Sequence, residues 1–365
     1  MKRFFVFVLL WVAALNLFGA DMVYNNVKYD IKHTGNLVFF GQRNPVIDIN
    51  VINTYRTEAR KCDIKCTVKS DSGELIYHLS QQLNVPAHDS IMVSFSFYSP
   101  KPGFYRVLLE DGEHYIKELN ICYEPEKIRT VFSGEDTTAS PWRRLMENSD
   151  AGSTQFKMTK VKEFQYRERE VYSVFIKCPG METLHGYYFV PARNREKLLK
   201  RGQLLYGKKV DLEKESRYAG GCIDFILPID SVATPDSVFY KKNFVKYLSV
   251  IEFLASKNDK DTSKIFAVGE GLMGGIALAV ASVDARIGAV AVYNPLLKVS
   301  KVLSQVKCPV LFGIGLQDSI VSPRRIFDSY NRLKTDKEYY LFPFSGREEH
   351  SNWDLLKNNF LRKIR

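Results

Sequence analysis

The sequence predicts an α/β fold with a mostly parallel, doubly covered sheet, preceded by a smaller all-β domain. Between residues 27 and 124, seven short segments of alternating hydrophobicity follow one another, with turn sequences between them and no helical pattern. After residue 156, continuous apolar strands alternate with helical segments, which is typical of parallel strands buried on both faces. The chain has 365 residues, enough for two domains.

The first twenty residues differ from the rest of the chain. Lys2 and Arg3 precede the apolar run FFVFVLLWVAAL, and Gly19 and Ala20 close it. A basic start, a short apolar run and small residues at its end are features of a secretory signal peptide, and the run is too short for a transmembrane helix. We therefore predict a signal peptide over residues 1–20, export to the periplasm or the medium, and no transmembrane span.

Residues 27–124 are predicted to form an antiparallel β-sandwich of immunoglobulin-like type. The turn sequences SDSG, SPKPG and EDGE separate the candidate strands at regular spacing. The candidate strands are NLVFF, VIDINVIN, CDIKCTVKS, LIYHLSQQL, SIMVSFSF, GFYRVLLE and YIKELNICY. Since no acid, base and nucleophile come together in this half, we expect it to be a spacer or to bind a protein partner.

Residues 125–155 are polar and are predicted to be a linker, and residues 156–365 the second domain. VYSVFIKC and TLHGYYFVPA predict an opening hairpin. Later strands are predicted at GQLLYG, GCIDFILPID, KIFAVG, AVAVYNP, PVLFGIGLQD and YYLFPF, with helices between and after them.

Charge and cysteine content exclude some function classes. The formal net charge is +11, or +9 without Lys2 and Arg3 (50 basic against 41 acidic residues). This excess suits a solvated basic surface or attraction to anionic glycans or lipid headgroups. No nucleic-acid-binding motif accompanies it, so nucleic acid is not an expected partner.

The six cysteines have no zinc-knuckle or C-x-x-C spacing, so we predict no metal and no cofactor. Cys62 and Cys66 lie at alternate positions of one predicted strand and should face a core. Buried thiols are one interpretation, and a disulfide from Cys62 or Cys66 to Cys122 is the other. The remaining cysteines are Cys178, Cys222 and Cys308.

The stretch IFAVGEGLMGGIALAVASVD runs from Ile265 to Asp284. An apolar strand breaks into a glycine-rich turn and then an apolar helix, the arrangement in which G-x-S-x-G presents a nucleophilic serine. Neither serine nor cysteine occurs between Ser263 and Ser282. The turn is therefore predicted to lack a nucleophile.

GLMGGIALAV resembles the serine elbow of the acetylxylan esterase / cephalosporin C deacetylase family. VLFGIGLQDSIVSP is similar to that family's acid-bearing strand and loop, FPFSGRE to the segment that normally ends in His-Glu, and TLHGYYFVP to its opening hairpin. The similarity covers roughly residues 136–365. It implies an α/β-hydrolase fold and descent from carbohydrate acetyl esterases.

The resemblance also implies where a Ser-His-Asp set would stand. The nucleophile position falls on Gly271, the acid on Asp318 and the base on Arg347, so only the acid is retained. The oxyanion positions fall on Leu272 and on Lys208, the latter replacing a tyrosine. We also expect Met273, where the family has a small residue, to lie beside the mouth of the site.

These departures leave alternatives open. Asp318 could pair with Arg347 or cap the helix that follows Pro323, and His350, three residues past Arg347, could replace the base. The first hypothesis is an inactive relative, a pseudoenzyme that binds an acetylated glycan, another small ester or a protein partner. The second is a weakly active esterase with His350 as base. The third is an interaction protein that acts through its sandwich.

Overall fold

The computed structural model describes residues 22–33, 37–41, 44–98, 101–128, 143–144, 147, 154–164, 167–177, 182–192, 199–218, 222–257, 265–296 and 300–364. The predicted signal peptide, Cys178 and most of the predicted linker lie outside these residues. The described residues divide into two compact units. The first unit holds those up to residue 98 with Tyr105–Leu119, and the second holds Lys101–Phe104 with those from Asn120 onward.

The first unit is built from two β-sheets. One has the strand order β1-β2-β4-β7 and the other the order β3-β9-β8-β5-β6. The pairs β1–β2, β2–β4, β4–β7, β5–β6 and β5–β8 are antiparallel. The strands are β1 (Met22–Tyr24), β2 (Val27–His33), β3 (Val38–Phe39), β4 (Val46–Asn53), β5 (Arg60–Ser70), β6 (Leu75–Val85), β7 (Ser90–Ser96), β8 (Gly103–Asp111) and β9 (His114–Tyr123). Membership of the immunoglobulin-like class stays a prediction.

Alternation of side chains along the strands builds the core of this unit. In β5, Cys62, Ile64, Cys66 and Val68 are buried while their neighbours face outward. Cys62, Cys66 and Cys122 carry free, buried thiols, so the buried-thiol interpretation holds for them and the suggested disulfide does not form. Burial raises the pKa of Cys62 and of Cys66 to about 12, which keeps both thiols protonated and unreactive.

The second unit has one large sheet with the order β10-β11-β12-β14-β13-β15-β16-β17-β18. Strands β10, β11, β12 and β14 pair antiparallel in that order, and every pairing from β14 to β18 is parallel. The strands are β10 (Gln155–Lys160), β11 (Arg169–Lys177), β12 (Leu184–Pro191), β13 (Leu199–Tyr206), β14 (Cys222–Ile229), β15 (Ile265–Glu270), β16 (Ile287–Tyr293), β17 (Val310–Gly315) and β18 (Lys337–Phe342). The predicted mostly parallel sheet is confirmed.

Within the described residues from 199 to 364, four α-helices lie between consecutive strands and the fifth follows β18. They are α1 (Leu212–Ser216), α2 (Ser237–Ser256), α3 (Gly271–Ala281), α4 (Pro323–Arg332) and α5 (Trp353–Lys363). Helix α2 begins where Oδ1 of Asp236 accepts a hydrogen bond of 2.7 Å from the Phe239 N–H, an N-cap that satisfies one unpaired donor of the first turn. Helix α3 is buried from Met273 to its last residue, which fixes it against the sheet.

A buried charged network lies at the start of strands β13 and β14. The carboxylate of Asp224 forms ion pairs with Arg169 and Arg201, and all three side chains are buried. Nη1 of Arg201 donates a hydrogen bond of 2.6 Å to Oδ1 of Asn358 in α5. Burial alone would raise the pKa of Asp224, but the two guanidinium groups outweigh it and hold that pKa below its usual value.

The strand order of the second unit determines where a site can form. The chain runs from β13 outward to β14 and then returns across β13 to β15, so the order reverses between β13 and β15. In open parallel sheets, ligands bind outside the carboxyl ends of the strands at such a reversal. The loops after β13 and after β15 therefore border the place where a site is expected.

Candidate functional site

The sequence-predicted site residues follow the carboxyl ends of neighbouring parallel strands. Lys208 lies after β13, Gly271 after β15, Asp318 after β17 and Arg347 after β18. Because parallel strands end at the same edge of the sheet, the fold gathers these segments at that edge.

The turn after β15 is a sharp strand-to-helix turn with Gly271 at its apex. β15 ends at Glu270, α3 begins at Gly271, and Gly271 has a φ of +52°. A side chain is strained at this φ, and glycine is not. Apart from its two chain neighbours and the backbone of the helix that it begins, nothing lies within 4 Å of the position that a Cβ would occupy. The apex is thus open, and its backbone suits the glycine that stands there.

The turn is held by a close approach of two other glycines. A Cβ on Gly269 would lie 2.6 Å from the backbone nitrogen of Gly274, and a Cβ on Gly274 would lie 3.1 Å from the Gly269 oxygen. Helix and strand therefore meet backbone to backbone. This contact requires glycine at position 269 and leaves little room for a side chain at position 274.

The sequence analysis placed Met273 beside the mouth of the site, and this prediction is wrong. Its side chain is 1% exposed and packs in the core. The close approach to the strand falls on Gly274 and not on residue 273, so the Met273 side chain can turn inward. Leu272 is only partly buried and lies in the first turn of α3, where backbone N–H groups have no carbonyl partner within the helix.

Asp318 is buried and its carboxylate is fully engaged. Oδ1 accepts hydrogen bonds from the backbone N–H groups of Ile320 (2.7 Å) and Val321 (2.9 Å). Oδ2 accepts one of 2.9 Å from the side-chain amide of Asn294. The carboxylate thus shapes the loop before α4. It does not cap that helix, whose N-cap residue is Ser322.

Asn294 was not predicted as a site residue, yet it connects three strand ends. Besides the bond to Asp318, its Nδ2 donates to the Gly346 carbonyl (2.9 Å), and its Oδ1 accepts from the Gly315 N–H (2.8 Å). Its φ is +41°, a conformation that asparagine tolerates better than most residues. The motif Tyr-Asn-Pro after an apolar strand was the only sequence indication of this role.

Arg347 and Asp318 are not brought together. Residues 300–364 are all described, and no ion pair within 4 Å joins the two side chains. Arg347 is exposed, whereas Asp318 is 3% exposed and satisfied by neutral donors. The expected ion pair is therefore wrong, because the amide of Asn294 and the loop backbone take its place.

His350 contacts Asn352 and Phe342. Its Nδ1 accepts a hydrogen bond of 3.2 Å from the Asn352 N–H, just before α5 begins. Its ring stacks on Phe342 with 4.5 Å between centroids. Burial lowers the pKa of His350, so the neutral form is favoured. None of the hydrogen bonds to Asp318 comes from this residue.

Lys208 forms an ionic bridge at the edge of the sheet. Its Nζ lies 3.3 Å from Oε2 of Glu270, next to the elbow, and 3.6 Å from Oε2 of Glu348, in the loop after β18. Burial alone would lower the pKa of Lys208, but these carboxylates and that of Glu349 raise it overall. The bridge ties the loops after β13, β15 and β18 together.

A further acidic group, Glu349, belongs to the same edge. Glu349 is partly buried, and burial raises its pKa, with Glu270 and Asp354 adding to the rise. The side chains gathered here can therefore form ion pairs and accept hydrogen bonds. In the elbow itself, residues 269–275 are all described and contain neither a hydroxyl nor a thiol side chain.

The described part of the chain contains neither a candidate metal site nor a helix that could span a membrane. No group of three or more His, Cys, Asp or Glu side chains there is arranged to hold a metal ion. None of the helices there combines the length and hydropathy needed to cross a bilayer.

Comparison with known proteins agrees with the sequence motifs. The family model for acetyl xylan esterase matches residues 199–301 and 297–363. Acetyl xylan esterase from Paenibacillus sp. R4 is 18% identical, with a TM-score of 0.56, and the match covers 64% of this chain and 97% of that one. Acetyl xylan esterase 1 from Thermoanaerobacterium sp. JW/SL YS485 is 16% identical, with a TM-score of 0.50, covering 61% and 92% respectively.

The two structural matches show that the second unit has the α/β-hydrolase fold of these esterases. The family match spans the loops after β13, β15, β17 and β18, which carry the site. By sequence and by fold, this chain is thus related to the acetyl xylan esterase family, as its motifs predicted.

Proposed function

We propose that this protein is an exported relative of the acetyl xylan esterases that binds an acetylated glycan at its elbow without hydrolysing it. The observation that carries the proposal is Gly271, which stands at the nucleophile position with a φ of +52° and open space where a side chain would be. A serine there would have to be strained to act. Glycine keeps the turn and removes the chemistry.

The surroundings of Gly271 support the same conclusion. The carboxylate of Asp318 accepts hydrogen bonds from the Asn294 amide and from two backbone N–H groups. None of these donors is an imidazole that the carboxylate could orient. Arg347 carries a permanent charge and cannot accept a proton at neutral pH. Without nucleophile and base, a Ser-His-Asp mechanism has no means of starting.

Binding needs none of these groups. The first-turn N–H groups of α3 are hydrogen-bond donors for an acetyl carbonyl. Lys208, Glu270 and Glu348 are charged groups suited to sugar hydroxyls. We infer that the acetyl group would lie over Gly271, in the space that a serine hydroxyl takes in the active enzymes.

The alternative is a weakly active esterase in which His350 serves as base. It would require Nδ1 or Nε2 of His350 to accept a proton from a water or a substrate near Asp318. The Asn352 N–H already occupies Nδ1, and in the neutral ring Nε2 then carries the proton. The assay given in the Discussion separates the two functions.

The proposal is tested by titrating the full chain with acetylated xylo-oligosaccharide and with the same oligosaccharide after chemical deacetylation, using calorimetry. We expect binding of the acetylated form and at least about tenfold weaker binding of the other, since one lost acceptor in a desolvated site is worth about 1–3 kcal/mol. Lys208→Ala should weaken binding. Lys209→Ala, which removes a neighbouring exposed charge, is the matched control.

Equal binding of both oligosaccharides, or equal effects of the two lysine variants, would mean that the ligand does not lie at the elbow. Export is tested separately. Removing residues 1–20 should keep the protein in the cytoplasm of an expressing bacterium, while the full chain should appear outside that compartment with a new N-terminus near Asp21.

A further inference from the structure

The first unit has a long free strand edge. Strand β6 is the last strand of its sheet, and it pairs with β5 from Val85 back to Leu75. On its other side, no strand of the described residues follows. Eleven residues therefore present a row of backbone N–H and C=O groups that another strand can pair with.

This edge lacks the features that usually prevent pairing. Its sequence, LIYHLSQQLNV, contains no Lys, Arg, Asp, Glu or Pro. The outer strands of the second unit differ, because β10 carries Lys157 and Lys160, and β18 begins with Lys337 and Glu338. Charged residues and proline on edge strands oppose association. Strand β7, at the edge of the other sheet in the first unit, is also uncharged but has only seven residues.

Apart from Gln81, which lies opposite Ile64, the side of β6 from Tyr77 to Leu83 that faces the core is apolar. Tyr77, Leu79 and Leu83 lie opposite Val68, Cys66 and Cys62 of β5, which are buried. They thus extend the core row outward. Leu79 is nevertheless 40% exposed, and Leu75, at the start of the strand, is 59% exposed. A further strand along β6 would remove this apolar area from water.

We propose that the partner on this edge is β6 of a second copy of the chain, running antiparallel and centred on Ser80. Antiparallel pairing of one strand with itself has two-fold symmetry, which closes the assembly at a dimer. With Ser80 opposite Ser80, Leu79 faces Gln81 and Tyr77 faces Leu83. Each contact occurs twice, and the apolar residues meet other uncharged residues.

The absence of charged side chains on β6 favours pairing at this edge over pairing at charged surfaces of the chain. The chain carries a formal charge of +11, so two copies repel each other over most orientations. In the proposed register, no charged side chain of β6 meets another, because the strand has none. The inference concerns the first unit alone and does not depend on what the elbow binds.

The test is the mass of the full chain in solution, measured by sedimentation over a range of concentrations. The wild type should reach twice the chain mass. The double variant Leu79→Lys/Gln81→Lys places two pairs of like charges opposite each other across the axis and should weaken dimerisation at least about tenfold. The double variant Leu79→Glu/Gln81→Glu, measured by itself, should weaken dimerisation to a similar extent. An equimolar mixture of the two double variants should regain the dimer mass.

Met92→Lys on β7 is the matched control, because Met92 is also exposed on an edge strand of this unit. It should leave the dimer intact. If the first variant fails to fold, His78→Lys/Gln82→Lys is used in its place. It sets two pairs of lysines opposite each other on the outer face of the strand. A monomeric wild type, a dimer that survives both lysine pairs, or dissociation by Met92→Lys alone would each overturn the proposal.

Discussion

The side-chain amide of Asn294 donates a hydrogen bond of 2.9 Å to Oδ2 of Asp318, while the loop backbone binds Oδ1. The retained acid of the site is thus part of a polar network that joins the ends of β16 and β17. This network, rather than an ion pair with Arg347, satisfies the buried carboxylate at the predicted acid position.

Asp318→Ala should therefore destabilise the second unit by about 3 kcal/mol, because it leaves three N–H donors without an acceptor. Arg347→Ala should change the free energy of unfolding by less than about 0.5 kcal/mol, since its side chain is exposed. Chemical denaturation followed by tryptophan fluorescence measures both. A loss for Arg347→Ala as large as that for Asp318→Ala would show that the two side chains are coupled after all.

The wild-type chain should not hydrolyse p-nitrophenyl acetate faster than an equal concentration of serum albumin. No serine or cysteine stands at the elbow, and losing a triad serine costs about 10⁶-fold in kcat. Any turnover above the control should be tested in Asp318→Asn and in His350→Ala. If either substitution abolishes it, the chain is an active esterase and His350 or Asp318 has a catalytic role.

Rebuilding the site needs two changes together. Gly271→Ser restores a hydroxyl without a base, and Arg347→His restores a base with nothing to activate. We expect each single variant to be inactive and the double variant to show weak acetyl-ester hydrolysis, a strongly non-additive result. Initial rates with p-nitrophenyl acetate check it. Activity in Gly271→Ser alone would mean that another base already lies within reach.

Replacing the two glycines of the turn, Gly269 and Gly271, by alanine should lower the free energy of unfolding by different amounts. Gly271→Ala should lower the free energy of unfolding by about 1 kcal/mol, because the space is open but φ is +52°. Gly269→Ala should cost more, since its Cβ would lie 2.6 Å from backbone atoms of Met273 and Gly274. Denaturant midpoints of the two variants make the comparison. A higher stability for Gly271→Ala would mean that this turn is not strained.

Asp224→Asn should cost about 3–5 kcal/mol, because it leaves the buried Arg169 and Arg201 without their counter-charge. The pKa of Asp224 is lowered in the folded chain, so its contribution is present above the unfolded pKa of about 3.9 and is lost as the pH falls towards the folded value. Between pH 7 and pH 3, the difference in unfolding free energy between wild type and variant should stay constant down to about pH 4 and then begin to narrow, without vanishing at pH 3. A difference that stays constant down to pH 3 would contradict this linkage.

Local patterns were sufficient to predict the fold of the second unit and the position of its turn. Apolar runs of six to eight residues identified the parallel strands, and the glycine-rich segment after Val268 identified the elbow. Strand β1 was missed because it has only three residues, and β10 and the short helix α1 because their mixed polar sequences have no clear periodicity. Strand β2 was also missed, although Val27, Tyr29 and Ile31 alternate there with polar residues.

The contacts of the site could not be predicted in the same way. Asn294 and Asp318 are 24 residues apart, and Glu348 lies 140 residues from Lys208, so only the assembled sheet brings them together. Met273 was misplaced because the close contact between strand and helix falls on Gly274, which leaves the Met273 side chain in the core. Sequence shows which groups are available, and packing decides which of them meet.

The hydrogen bond from Arg201 to Asn358 closes a loop of 157 residues within the second unit. During synthesis, this arginine leaves the ribosome long before its partner in the last helix, so the buried network stays incomplete until the chain is nearly finished. Contacts of such long range slow folding, because the entropy of closing the loop is lost before they form. The first unit can fold much earlier, since nearly all of its residues precede residue 120. A growing chain would therefore carry one finished domain and one exposed, aggregation-prone sheet until α5 docks.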